Sequence, residues 1–84
     1  MPARQRAASD SAVKIGAKVR AQRVRKNKSR DKLGREIGKT GQQVARYESG
    51  ENEISSVMLE RIADALDCDT ADFHNSKNKP PEGE

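Results

Sequence analysis

Ser29–Gly50 reads SRDKLGREIGKTGQQVARYESG, and this stretch decides the fold. Ser29 and Thr40 are good N-caps, each standing just before a run of helix formers. Asp31 falls in a first turn, where an acid complements the helix dipole. Leu33 and Ile37 lie at i, i+4, and Val44 and Tyr47 at i, i+3, so each run has one apolar face. Gly38 and Gly50 can take a positive φ and stop the two runs. Gly34 is small enough to stand where two helices touch, and no proline interrupts the stretch. Two short helices crossing steeply through a tight turn follow from this pattern, the arrangement called helix-turn-helix.

Working outward, the preceding segment predicts a first helix from a cap at Ser11 to about Lys26. Ile15 and Val19 share its inner face, and Asn27 closes it in a left-handed conformation. After Gly50, a fourth helix follows Ser55 or Ser56. Its Leu59, Ile62, Ala63 and Leu66 make an i, i+3, i+4, i+7 stripe, the strongest amphipathic signal in the chain. A short fifth helix is expected with Asp69 as N-cap, Asp72 at N3 and Phe73 as its apolar anchor. The expected fold is therefore all-α with five helices. With one Phe and one Tyr in 84 residues, the core has to be aliphatic. Cys68 reads as a small buried hydrophobe.

The boundaries follow from what can be buried. Residues 1–11 (MPARQRAASDS) lack apolar periodicity and read as a flexible basic arm carrying Arg4 and Arg6. Residues 12–74 form the domain, and residues 75–84 (NSKNKPPEGE) read as a disordered tail. Apolar residues make up 32% and charged residues 36%, close to the border with disordered chains, so the folded body has to be small. No apolar run approaches the length of a membrane span, and the N-terminus has no apolar signal region. One cysteine cannot form an internal disulfide, so a cytoplasmic protein is expected.

Net charge is +4, but it is unevenly spread. Residues 1–30 hold ten Lys/Arg and one acidic residue; residues 31–84 hold seven Lys/Arg and twelve acidic residues. A basic first third is the footprint of a polyanionic partner, although a solvated basic helix would carry the same charge. Catalysis finds no support. There is no Ser/His/Asp or Cys/His set, no phosphate-cradling glycine loop and no metal-ligand cluster, and His74 has no second ligand nearby. No cofactor, metal or membrane association is expected. Single-stranded RNA binders stack bases on aromatic side chains, and both aromatics here point to the core, so double-stranded DNA is the better partner.

The runs IGAKVR, SRDKLGREIGKTGQQVARYESGENEIS and LERIADALDCDTADF resemble the lambda-repressor-like, or Xre/Cro, family of bacterial and phage regulators over about residues 13–74. QQVARYESGENEIS and LERIADALD are the most specific pieces. The resemblance implies a five-helix domain that binds operator DNA as a homodimer, with the helix at 41–48 entering the major groove. It implies that Thr40, Gly41, Gln42 and Arg46 meet bases or adjacent phosphates, with Gln43 beside them. Gln suits adenine and Arg suits guanine. It implies a DNA contact from Asn52 in the following loop and a phosphate brace at Arg30, where relatives usually carry Gln. Lys39, in the turn, is well placed for a phosphate. Arg23 and Glu48 match a structural salt bridge of the family.

Each role has a plainer rival. Gln43 can serve as the capping partner of Thr40, Gln42 can be merely solvated, and Arg46 can pair with a neighbouring acid. The departures also carry weight. Gly41 offers no side chain where many relatives read a base. Gln22 and Lys28 replace common leucines, which thins the core near the first helix. Glu51 and Glu53 flank Asn52 and repel phosphate. Phe73 and the acidic residues Glu60, Asp64, Asp67, Asp69 and Asp72 of the last two helices are the candidates for a dimer surface. They also define a competing function, an antitoxin or adaptor that binds a protein partner through those acidic helices.

Overall fold

The computed structural model describes residues 10–74. Within them the chain forms α1 (Asp10–Arg25), α2 (Arg30–Ile37), α3 (Gly41–Ser49) and α4 (Ser56–Leu66), then a 3-10 turn at Thr70–Phe73. The expected arm up to residue 9 and the tail from residue 75 lie outside the described residues.

Four helices replace the expected five. The Asp69 cap site is present, and the Asp72 carboxylate accepts from the Asp69 N–H at 3.2 Å. The run after it nevertheless makes one turn and stops, with His74 already extended at φ −90°, ψ 171°. Helix nucleation is costly, and Phe73 is the single large apolar side chain in the turn that could repay it. Asp10, the first described residue, and Ser11 are already helical, so Ser11 lies within α1 rather than capping it, and the last two residues of the expected arm belong to the helix.

The other ends follow local chemistry. Ser29 Oγ accepts from the Lys32 N–H, Thr40 Oγ1 from the Gln43 N–H and Ser55 Oγ from the Met58 N–H, at 3.0, 3.0 and 3.1 Å. Gly38 and Gly50 take φ of 77° and 84° at the two C-termini of the central pair. Asn27 (φ 58°) closes α1, and Asp67 (φ 56°) closes α4; both are residue types that tolerate the left-handed region.

α3 packs on α1 and on α2, α2 also packs on α4, and the 3-10 turn seals α1 and α4. The core joins Val19, Leu33, Ile37, Val44, Tyr47, Leu59, Ile62, Ala63, Leu66 and Phe73, with Ile15, Ile54, Met58, Ala65 and Cys68 packed around it. Each large aliphatic or aromatic side chain buried this way contributes about 1.5–3 kcal/mol. Phe73 is completely buried. That corrects its place among the dimer-surface candidates, because its ring is already spent inside the domain.

Two glycines set how closely the helices approach. A Cβ on Gly34 would stand 2.7 Å from the Lys39 carbonyl oxygen and 2.8 Å from the Thr40 carbonyl carbon. A Cβ on Gly16 would press on the Tyr47 and Glu48 carbonyls. Backbone atoms cannot swing aside as a side chain can, so both helix contacts need glycine. Gly34 lets the turn fold back on α2, and Gly16 lets α1 lie directly on α3.

Lys28, at a place where a leucine is common, is half-buried but not left unsatisfied. Its Nζ donates to Glu36 Oε1 at 2.7 Å and to the Ala65 carbonyl at 2.5 Å. The position that looked like a thinner core is a polar clasp from the α1–α2 loop to α2 and the end of α4.

Candidate nucleic-acid interface

α3 is held by its inner face and offers its outer one. Val44 and Tyr47 enter the core, and Glu48 is buried beside them. The Glu48 carboxylate accepts from Arg23 Nε at 2.5 Å and from Arg23 Nη2 at 3.3 Å. Arg23 Nη1 donates to the Lys28 carbonyl at 2.7 Å, which binds the network to the α1–α2 loop. Arg30 Nε reaches the same carboxylate at 3.1 Å. Two guanidinium groups thus share one carboxylate whose side chain is 3% exposed. A buried charge is tolerable only when it is paired and hydrogen-bonded, and this one is both.

The outer face is different. Gln42, Arg46 and Ser49 are exposed on α3, and Lys39 is exposed in the turn before it. Among the described residues, the side chains of Lys39, Gln42, Gln43, Arg46 and Asn52 make no hydrogen bond or ion pair. Gln43 is half-buried; its N–H is capped by Thr40, but its amide does not reach back to complete a capping box. Arg46 has no acidic partner among the described residues. Asn52 is half-buried in the loop, and its N–H donates to the Arg46 carbonyl at 3.3 Å, tying the loop to the end of α3.

Arg30 has two neighbourhoods. It belongs to the Glu48 network, yet its side chain is 47% exposed. It lies on a shallow groove with Ser29, Asp31, Gly41, Gln42 and Ala45, where the first turns of α2 and α3 meet. The Arg30–Glu48 bond had no signal in the sequence. Its spacing of eighteen residues follows no helical period, and only the crossing of α2 over α3 creates it.

The remaining chemistry is sparse. Among the described residues no group of three or more His, Cys, Asp or Glu is arranged to hold a metal. Cys68 is half-buried, and burial pushes its thiol up, with Asp72 adding to the shift. A thiol so placed is a poor nucleophile. No helix among the described residues is long and apolar enough to cross a membrane. Charge is segregated along the chain: residues 10–50 carry twelve Lys/Arg against four acids, and residues 51–74 carry one Arg against seven acids. The acids named above on α4 and the 3-10 turn are all exposed.

A family model described as helix-turn-helix matches residues 19–73. An HTH-type transcriptional regulator, y4aM of Sinorhizobium fredii, is 36% identical over 73 residues, covering 86% of this chain and 51% of that protein. The chain spans about half the length of the curated relatives it matches, or somewhat less. Among solved structures, the restriction-modification controller protein C.AhdI from Aeromonas hydrophila superposes with a TM-score of 0.73 at 28% identity, over 77% of this chain and 98% of that one. The P22 c2 repressor, solved with a synthetic operator, shares the fold at 23% identity and a TM-score of 0.67, over 73% of this chain and 92% of that one. The hydroxypropylphosphonic acid epoxidase of S. wedmorenis carries the same fold within a larger chain, with a TM-score of 0.71 at 25% identity, over 86% of this chain and 36% of that one. The architecture is thus a lambda-repressor-like helix-turn-helix that also occurs inside an enzyme.

Proposed function

Since the chain belongs to the helix-turn-helix family of Xre type, we propose that residues 10–74 are the sequence-specific double-stranded-DNA-binding domain of a transcriptional regulator. It acts as a repressor, occluding a promoter from a palindromic operator that it binds as a homodimer. The observation that carries this reading is the two-sided character of α3. Its inner face is fixed by core contacts and by the Arg23–Glu48–Arg30 network, while the outer side chains of Gln42 and Arg46 have no partner among the described residues, and Ser49 bonds only to nearby backbone. A fold shared with an epoxidase assigns no function by itself. The outer residues of α3 support the DNA reading, because amides and a guanidinium held off a rigid helix suit base edges in a major groove.

In this reading Gln42, Gln43 and Arg46 read bases, and Lys39, Thr40, Arg30 and Asn52 meet the backbone. Gly41 gives close approach but no readout. No catalytic step is assigned to the domain, and it works in the cytoplasm.

Selection from random duplexes tests the proposal. The expected product is a palindromic motif whose half-sites lie about 34–36 Å apart, bound with an affinity that falls steeply with salt. Failure to enrich any sequence, together with salt-insensitive binding, overturns it. Light scattering at high concentration tests the dimer, which a mass of one chain throughout would remove.

A further inference from the structure

The first turns of α2 and α3 meet at a joint that favours anions. Both helices bring the positive end of their dipoles there, and Arg30 stands on the same groove. Into this joint the chain places a carboxylate of its own. The Asp31 side chain leaves the first turn of α2 and lies against the backbone of Gly41. A Cβ built on Gly41 would overlap Asp31 Oδ1 and stand 3.1 Å from the Asp31 Cγ and N. Glycine at 41, which in sequence looked like a gap in base reading, is what makes room for the carboxylate. Asp31 is exposed, and among the described residues its side chain takes no hydrogen bond or ion pair. Arg30, its immediate neighbour, is bonded to Glu48 instead.

Such an acid has opposite effects on two equilibria. In the free protein it complements two helix N-termini at once, which favours folding. Against DNA it sits where the joint would otherwise take a phosphate oxygen, and like charges at that distance repel.

We infer that Asp31 is a built-in competitor of the DNA backbone: it fills the anion-favouring joint of α2 and α3 in the free domain and limits DNA affinity without contributing to base choice. The inference rests on the DNA-binding reading above. It also explains an otherwise odd pairing of residues, an acid at the start of α2 directly opposite a glycine at the start of α3.

The test compares the full chain with Asp31→Asn in titrations against two duplexes, one of mixed random sequence and one carrying the selected operator. Asp31→Asn is expected to bind both about fivefold more tightly at low salt, the size of one like-charge contact near water. The gain fades as salt screens it. The same variant is expected to unfold at a slightly lower temperature, because α2 loses its first-turn acid. A purely structural residue would weaken binding as it weakened the fold, so the opposite signs are diagnostic. Asp10→Asn, which removes an exposed acid at the start of α1, controls for net charge and is expected to leave both affinities unchanged. Equal or weaker binding by Asp31→Asn, or an equal gain from Asp10→Asn, overturns the inference and leaves the DNA reading intact. A wild-type chain that binds neither duplex overturns both.

Discussion

The two faces of α3 spend their polar groups in opposite ways. Inside, the buried Glu48 carboxylate accepts three hydrogen bonds from Arg23 and Arg30. Outside, Gln42 and Arg46 have no protein partner among the described residues. A helix nine residues long therefore differs by side: one face fixes orientation, and the other is left unbonded, the face to which recognition is assigned in the proposed function. The contrast teaches that charge in this chain is not one reservoir. Arg23 and Arg46 are the same residue type on neighbouring elements, one bound into the fold and the other held out of it.

The largest effect expected is on the inner face. Glu48→Ala would leave Arg23 buried beside an empty site, and breaking such a pair costs about 3–5 kcal/mol. A domain of this size has little more stability than that, so urea unfolding of the variant should show a collapsed or absent transition. A midpoint close to wild type would mean the network is decoration. Next comes the contact that aligns α2 with the turn. Gly34→Ala forces a methyl group onto the Lys39 and Thr40 backbone, and overpacking of this kind costs about 1–3 kcal/mol. Thermal unfolding measures it, and an unchanged midpoint would show that the turn can give way.

On the outer face the readout changes from stability to binding. Arg46→Ala should weaken binding to the selected operator by about 1–3 kcal/mol and relax base preference at one position, with the unfolding midpoint unmoved. Combining it with Gln42→Ala should erase sequence preference. If these variants destabilise the fold as Glu48→Ala does, the two faces are not separate and α3 is not an open reading surface.

The smallest effect lies between these extremes, in the half-exposed pair of Lys28 and Glu36. The hydrogen bond from Lys28, helped by the charges of Lys28 and Lys32, holds the Glu36 carboxyl below its usual value against the opposing penalty of burial. A depressed folded-state value stabilises the fold above the ordinary carboxylate range, and that contribution disappears as pH falls through the folded value. The stability difference between wild type and Glu36→Gln should therefore narrow from about pH 6 to about pH 3. Pairs this exposed contribute only a fraction of a kcal/mol, so the drift should be slight. A difference that widens on acidification would reverse the assignment.

Much of this fold was legible because its punctuation is local. Ser29, Thr40 and Ser55 each bond an N–H three residues on, and Gly38, Gly50 and Asn27 each stop a helix with a positive φ. Those interactions span a few residues, and the residue types they need are few. The apolar stripe of α4 is likewise periodic and so readable. What stayed hidden depends on distant segments meeting. The family resemblance implies a phosphate brace at Arg30, and only the three-dimensional crossing reveals its bond to Glu48. Lys28 reads as a lost leucine until the Ala65 carbonyl comes within reach. Gly16 gives no signal in an otherwise ordinary helix, because the carbonyls it must clear belong to α3. The last helix was overestimated for a simpler reason: a cap site announces a start, but nothing at Thr70–Phe73 announces how soon it ends.

One consequence of the unbonded outer side chains concerns change over generations rather than binding. Gln42, Gln43 and Arg46 can be exchanged without breaking any side-chain bond in the domain, so substitutions there escape the stability threshold that purges most mutations. A duplicated copy of this chain could acquire a new preferred sequence in single steps, each intermediate still folding. Gly34, Gly16 and Glu48 allow no such drift. Under the proposed DNA-binding function, the scaffold is conservative and its reading residues are free to diversify.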